Sequence, residues 1–204
     1  GGIGNIPLLP AGCSLEEVTA FDTGPGNMIM DALVMKITDG RMGYDDGGKL
    51  AASGKVIPDL LRWMLDDPYL RRQPPKTTGR EYYGKEYVEK LLAFGDYPLV
   101  DVLTTATAFT AHSIALSLRR FAKRLPARLV VGGGGSRNPT LLAFLQEALP
   151  EVKVQIQEDL GLDSDAKEAV AFALLANEAL FGVCNNAPSA TGAKHGVVMG
   201  RINL

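Results

Sequence analysis

The sequence predicts an α/β fold in which helices pack against a sheet. Twice, a short β-rich run ends in glycines directly ahead of a helical pattern, at residues 18–34 and 129–149. Strand and helix patterns continue to alternate over residues 152–181, which is typical of a sheet covered by helices. At the amino end, two strand-like runs around a turn indicate a hairpin or meander.

The bulk composition of the 204 residues is typical of a globular protein with a substantial core. Hydrophobic residues make up 46% and charged residues 22%, and the net charge is −2, so no basic field favours nucleic acid or an anionic membrane. The sequence has no run of ~18 consecutive apolar residues and no signal-peptide pattern. Cys13 and Cys184 form neither a disulfide framework nor a zinc pattern, which favours a cytoplasmic location.

The chain opens on glycines that would let a hairpin bend sharply, with strands predicted at residues 6–10 and 17–21. The start lacks methionine and falls on a glycine pair typical of a turn inside a hairpin. We interpret this start as the sign of a fragment.

Asp22-Thr-Gly-Pro-Gly-Asn27 places a carboxylate at a strand end, directly ahead of a helix predicted over residues 28–38. Pro25 suits the first turn of a helix, where a missing N–H is tolerated. Free backbone donors at such a helix start, with glycines that allow close approach, form an anion site, and Asp22 could accept a proton there. The combination suits phosphoryl transfer to a hydroxyl, although Asp22 as a simple helix cap explains the local pattern equally well.

The middle of the chain is predicted to form helices, with one loop between them whose residues suit ligand binding. Apolar periodicity predicts helices over residues 49–67, 82–94 and 100–125. Lys76-Thr-Thr-Gly-Arg-Glu81 follows two prolines and carries donors suited to sugar or phosphate oxygens. This favours a ligand-facing loop over a solvated basic linker.

A second glycine motif follows an apolar strand at residues 129–131 and continues as Gly132-Gly-Gly-Gly135. Glycines let a ligand lie on the backbone, but the run matches neither the dinucleotide fingerprint nor the P-loop. A nucleotide shelf is one reading of it. The remaining predicted elements are a helix over 141–149, a strand over 152–157, a helix over 165–181 and a closing strand over 197–202.

Six separated stretches together resemble the anhydro-N-acetylmuramic acid kinases and related anhydrosugar kinases, including levoglucosan kinase. They are Gly1-Gly-Ile-Gly-Asn5, Phe21-Asp-Thr-Gly-Pro-Gly-Asn-Met28, Pro75-Lys-Thr-Thr-Gly-Arg-Glu81, Gly132-Gly-Gly-Gly-Ser-Arg-Asn138, Glu168-Ala-Val-Ala-Phe172 and Thr191-Gly-Ala193. The resemblance implies one lobe of an actin-like, ribonuclease H-like sugar-kinase fold, with a central mixed sheet flanked by helices. It implies an ATP- and Mg²⁺-dependent reaction that opens the 1,6-anhydro bridge of 1,6-anhydro-N-acetylmuramic acid and phosphorylates O6, in cell-wall sugar recycling.

By this resemblance, Asp22 is the general base that activates the water attacking the anomeric carbon. Substrate contacts are implied for Thr23, Lys76, Arg80 and Glu168. ATP contacts are implied for Gly1, Gly2, Asn5, Gly24, Gly26, Asn27, Gly132, Gly133, Gly134, Gly135 and Asn138. Mg²⁺ would neutralise the phosphates through ligands that the sequence does not name. A homodimer through the helix over 100–125 is implied as well, although packing in one core explains its apolar face equally well.

The sequence departs from the family at its amino end. Family members begin with another lobe that bears a Gly-Thr-Ser-x-Asp-Gly phosphate loop and basic sugar-binding residues, and this sequence contains neither. We therefore expect residues 1–204 to be the carboxy-terminal lobe, with weak ATP binding and poor turnover alone. Levoglucosan kinase is an alternative, as is a non-catalytic nucleotide-binding domain on the same fold, although the intact Asp22 and glycine shelf favour catalysis.

Overall fold

The α/β class is confirmed by the computed structural model, which describes residues 2–164 and 166–201. β1 (Gly4–Leu8) pairs antiparallel with β2 (Thr19–Gly24), which confirms the hairpin, and β3 (Arg128–Val131) pairs parallel with β4 (Lys153–Ile156). Within the described residues these pairs are two separate sheets rather than one central mixed sheet. Each pair has its own connection, a turn region in the first and a helical crossover in the second.

Helices make up most of the described chain. They are α1 (Met28–Ile37), α2 (Lys49–Ser53), α3 (Pro58–Leu65), α4 (Arg80–Tyr83), α5 (Lys85–Leu92), α6 (Leu99–Phe121), α7 (Pro139–Ala148), α8 (Lys167–Leu180) and α9 (Pro188–Thr191). Short 3₁₀ turns at Leu15–Glu17, Asp46–Gly48, Pro68–Arg71, Gly134–Arg137 and Gln157–Leu160 join them.

Two predicted helices are each divided in the structure. The helix over 49–67 is wrong as one element, because it stops at Gly54 and restarts at Pro58, where proline suits a first turn. A Cβ at Gly54 would lie 2.6 Å from the carbonyl oxygen of Val100, so this glycine lets the chain pass close to α6. The helix over 82–94 is likewise divided, at Gly84.

The carboxy-terminal predictions fare less well. Residues 197–201 form no strand, and Ile202, where the predicted closing strand ends, lies outside the described residues. Asp165, the predicted start of the last long helix, lies outside them as well, and α8 begins at Lys167. No described residue of α8 is fully buried, and large apolar side chains such as Phe172 and Leu180 are 70% and 68% exposed.

α6 is the central element of the core. It packs against α1, α2, α3 and α7, and Leu103, Phe109 and Leu118 on it are fully buried. Its threonines satisfy their hydroxyls on nearby carbonyl oxygens, as Thr107 Oγ1 does by donating to Leu103 O at 2.9 Å. By length and composition α6 could cross a membrane, but 67% of its most apolar window is buried inside the protein, as in the core helix of a globular protein.

Candidate active site

Asp22 lies near the end of β2, directly opposite Asn5 in the hairpin register. Its carboxylate accepts two hydrogen bonds from different parts of the chain. Asn5 Nδ2 donates to Oδ1 at 2.9 Å, and the backbone N–H of Thr78 donates to Oδ2 at 2.9 Å. An ionised carboxylate has about four lone-pair sites. Asp22 is half-buried, so its carboxylate is oriented by the protein and retains acceptor capacity for a substrate or water.

The backbone of Asp22 is held as firmly as its side chain. Its N–H donates to the carbonyl oxygen of Lys76 at 3.1 Å, and its own carbonyl oxygen accepts from the hydroxyl of Tyr69 at 2.9 Å. The residue is therefore fixed at four points. None of these bonds goes to α1, so the simple helix-cap interpretation of Asp22 is wrong.

Residues 24–27, which we call the first glycine segment, lead from β2 into α1. Gly26 has a φ of +55°, and a Cβ there would lie 2.5 Å from Gly2 O and 2.6 Å from Gly4 N. The carbonyl oxygen of Gly26 accepts a hydrogen bond from Thr110 Oγ1 at 2.8 Å, and Met28 N donates to Gly2 O at 3.1 Å. The segment is thus packed between the amino-terminal hairpin and α6.

Residues 132–135, the second glycine segment, follow β3. Gly133 has a φ of +76°, and a Cβ there would meet no atom within 4 Å. A Cβ on Gly134 would lie 3.2 Å from Asn27 Nδ2, and one on Gly135 would lie 3.4 Å from Asn27 Oδ1. The side chain of Asn27 therefore lies close to the second glycine segment, which brings the two segments near each other.

Several residues of the expected ATP site have structural contacts. Asn138 is the N-cap of α7, where its Oδ1 accepts from Leu141 N at 2.9 Å, and it is only 8% exposed. A Cβ on Gly132 would clash with the side chain of Gln157. Gly1 lies outside the described residues. Nothing in the structure tests the ATP contacts of these positions, and they stay predictions.

The four residues expected to contact the substrate lie in different surroundings. Thr23 is buried, and its Oγ1 donates to Gly4 O at 3.1 Å. Lys76 is only 3% exposed, and its Nζ donates to Tyr69 O at 3.3 Å. Arg80 and Glu168 are exposed, in the first turns of α4 and α8. The structure therefore brings Thr23 and Lys76 next to Asp22 as internal contacts of the protein.

The structure adds two residues that the sequence analysis missed. Tyr69 and Thr78 each bond to Asp22, from 47 and 56 positions away in the chain. Asp67 in turn holds Tyr69, because its Oδ1 accepts from Tyr69 N at 2.8 Å. The Asp67-Pro68 pair is a recognisable cap and first-turn signal, but nothing in it indicates Asp22 as the partner.

Mg²⁺ at this site stays a prediction. Among residues 2–164 and 166–201, no group of three or more histidine, cysteine, aspartate or glutamate side chains could hold a metal ion. Mg²⁺ usually keeps several waters and takes one or two carboxylates together with substrate phosphates. A dedicated protein cage is therefore not required for this ion.

A cavity of about 510 Å³ opens elsewhere on the chain. It is lined by Trp63, Asp66, Asp67, Pro68, Arg71, Glu81, Tyr82, Glu86, Tyr87 and Lys90. Neither Asp22 nor a glycine segment lines it, so the candidate site rests on hydrogen-bond geometry and not on this concavity.

Comparison with known proteins gives one consistent family. The sequence profile described as Anhydro-N-acetylmuramic acid kinase matches residues 1–204. Proteins named anhydro-N-acetylmuramic acid kinase from Caldanaerobacter subterraneus subsp. tengcongensis, Bacillus cereus and Clostridioides difficile are 50%, 44% and 42% identical to the chain. These matches cover 100%, 99% and 99% of this chain but 53%, 54% and 53% of those relatives. The chain spans about half the length of the curated relatives it matches.

Proposed function

We propose that this chain, which belongs to the anhydro-N-acetylmuramic acid kinase family, carries the general-base side of an ATP-dependent anhydrosugar kinase. The proposed substrate is 1,6-anhydro-N-acetylmuramic acid, which the names of the relatives contain. The observation that carries the proposal is the Asp22 carboxylate, oriented by Asn5 and Thr78 beside the first glycine segment.

In the proposed reaction, Asp22 accepts a proton from a water molecule as that water forms a bond to the anomeric carbon. The bond between that carbon and the bridge oxygen breaks, and the bridge oxygen, which becomes O6, forms a bond to the γ-phosphorus of ATP. The bond from that phosphorus to the β–γ bridging oxygen breaks, and ADP leaves. Asp22 then releases the proton to solvent. No other general base is needed for this proton balance.

The protein's contribution to this reaction is mainly orientation and charge stabilisation. Asn5 and Thr78 hold the carboxylate so that its remaining lone pairs can face the water. The two glycine segments would let phosphate oxygens approach the backbone closely. Mg²⁺, when bound with ATP, would neutralise the developing charge on the phosphates. Among the substrate contacts expected, Arg80 and Glu168 are exposed and can meet a sugar directly.

Because the chain spans about half the length of its relatives, we propose that it is the carboxy-terminal lobe of a two-lobed enzyme. The other lobe would complete the ATP and sugar contacts across a cleft. The apolar face of α6 is buried in this chain, so packing in one core accounts for it, and the homodimer stays an expectation without a test. We also propose a cytoplasmic location for the protein.

The deciding experiment is a kinase assay on the full-length protein with ATP and either 1,6-anhydro-N-acetylmuramic acid or levoglucosan. We expect 6-phosphorylated sugar, and for Asp22→Asn a loss of about 10²- to 10⁴-fold in kcat, as is typical for a general base. Asp59→Asn is the matched control, because this aspartate is exposed on α3 and forms a surface ion pair with Arg62.

Each outcome separates the candidate functions. Phosphorylation of levoglucosan alone would assign the alternative anhydrosugar. ATP binding without phosphorylation of either sugar would favour a non-catalytic nucleotide-binding domain. An Asp22→Asn variant as active as the Asp59→Asn control would exclude Asp22 as the base.

A further inference from the structure

Lys76 is a buried lysine for which the proposed reaction has no evident need. Its ammonium nitrogen lies 4.6 Å from the centroid of the Tyr69 ring, 4.9 Å from that of Phe121 and 5.7 Å from that of Phe21. Such distances allow cation–π attraction, which is stronger for a desolvated cation. Lys76 is 3% exposed, and its ammonium lies among these rings inside the protein.

Lys76 is connected to Asp22 by two short paths of hydrogen bonds. Its carbonyl oxygen accepts from Asp22 N at 3.1 Å, and its Nζ donates to the carbonyl oxygen of Tyr69, whose hydroxyl bonds to Asp22 O. Two residues further along the chain, the Thr78 N–H bonds to the Asp22 carboxylate. The position of Thr78 therefore depends on how Lys76 is anchored.

The groups around Lys76 stabilise its positive charge only weakly. Burial lowers the pKa of Lys76 to about 8, and the positive charges of Arg120 on α6 and Arg72 after the third 3₁₀ turn lower it in the same direction. Asp22 on β2 and Asp67 ahead of that turn act in the opposite direction. Because this pKa lies below that of a lysine in water, opening of the segment around Lys76 becomes less favourable as the pH rises from about 8 to ~10.4.

We propose that Lys76 is a positioning residue whose buried ammonium, seated among the rings of Tyr69, Phe121 and Phe21, holds the Thr78 amide on the Asp22 carboxylate. Below its pKa the ammonium attracts the three rings and fixes the segment over 76–78. The hydrogen bond to Tyr69 O persists when the amine is neutral, so the segment is held at least as firmly as the pH rises through that pKa. For activity the proposal rests on the proposed function, because it assumes that Asp22 is the base.

The experiment compares Lys76→Met, Lys76→Arg and the control Lys85→Met in the full-length protein. Lys85 lies at the surface of α5 with 89% of its side chain exposed, so its charge is removed without a buried contact. Amide hydrogen exchange over residues 76–78 is measured first, because it needs no activity. Steady-state kinetics with ATP and 1,6-anhydro-N-acetylmuramic acid across the alkaline pH range follow.

For Lys76→Met we expect amide exchange over 76–78 to rise by about tenfold. We expect kcat to fall by about 10- to 100-fold through misplacement of the base, with the KM for ATP unchanged. Arginine stays charged at every accessible pH. Lys76→Arg should therefore keep the charge and the hydrogen-bond donors, and retain more activity than Lys76→Met at every pH measured.

Other results would contradict the proposal. Unchanged exchange in Lys76→Met would overturn the proposal, and a raised KM for the sugar alone would return Lys76 to direct substrate contact. If Lys76→Met does not fold, wild-type protection over 76–78, taken as the slowing of exchange relative to the unfolded chain at the same pH, decides the matter. It should rise between about pH 8 and ~10.4 in the wild type and not in Lys76→Arg, and a flat wild-type profile would overturn the proposal. A wild type without kinase activity would exclude the proposed function. The amide exchange measurement would still decide whether Lys76 anchors the segment over 76–78.

Discussion

The two glycine segments have similar sequences and opposite surroundings. In the first, over residues 24–27, the space beside the glycines is occupied by the protein itself, such as Gly2 O beside Gly26 and Ser113 Oγ at 3.0 Å from a Cβ on Gly24. In the second, over residues 132–135, a Cβ on Gly133 would meet nothing within 4 Å. Glycine in the first segment is thus a packing requirement, whereas Gly133 in the second leaves the backbone accessible to a ligand.

We propose from this difference that the two segments contribute unequally to phosphate binding. Directly after the first segment, the N–H of Met28 at the start of α1 already bonds to Gly2 O and Pro25 O. The first segment therefore acts chiefly as a rigid support that fixes the end of β2 and Asp22. The second segment is the better candidate for a surface on which the phosphates of ATP lie.

The strongest test of this comparison is Gly26→Ala. Alanine at a φ of +55° costs about 1–2 kcal/mol. The clash with Gly2 O and Gly4 N adds about 1–3 kcal/mol of overpacking. We expect the free energy of unfolding, measured in urea, to fall by the sum of these two costs.

The control for this variant is Gly12→Ala. Gly12 has a φ of +70°, but a Cβ there would meet nothing within 4 Å, so only the backbone cost remains. Equal losses in the two variants would mean that the first glycine segment is not closely packed.

The sequence predicted the local elements of the site better than their connections. The Asp22 stretch, the hairpin and the second glycine segment are all readable from short patterns of glycine, proline and β-rich residues. The bonds from Tyr69 and Thr78 to Asp22 span 47 and 56 positions, and no local periodicity carries information about such partners.

Prediction of the fold from the sequence is limited in the same way, because local patterns carry little information about distant contacts. The class was predictable because strand and helix periods differ, but the breaks at Gly54 and Gly84 depend on neighbours that are distant in sequence or on exact backbone angles. Lys76 shows it most clearly. A basic residue in a proline-rich loop indicated a ligand contact, and only tertiary packing reveals that three aromatic rings surround its ammonium.

A smaller effect is expected from Thr110→Val, which removes the hydroxyl that α6 donates to Gly26 O at 2.8 Å. Loss of a partner for a buried carbonyl costs about 1–3 kcal/mol, and valine has nearly the same shape as threonine. We expect urea unfolding to show a loss within that range. Thr107→Val is the control, because its hydroxyl bonds to Leu103 O one turn back in the same helix, where the helical N–H remains.

If Thr107→Val destabilised the protein as much as Thr110→Val, the effect would belong to threonine in α6 in general and not to the support of the first glycine segment. A larger loss of unfolding free energy for Thr110→Val than for Thr107→Val would show that the hydrogen bond from α6 stabilises the first glycine segment.

The smallest effect on stability is expected for Gly134→Ala, in the accessible segment. Its φ is not in the left-handed region, and the new methyl group would meet only Asn27 Nδ2, at 3.2 Å, so the free energy of unfolding should change by less than about 1 kcal/mol. ATP affinity, measured by calorimetry on the full-length protein, should fall by about tenfold, because the methyl group occupies the surface proposed for the phosphates. Gly43→Ala, with no atom within 4 Å, should change neither quantity by as much. Undiminished ATP binding in Gly134→Ala would place the phosphates elsewhere and leave the second glycine segment as a turn.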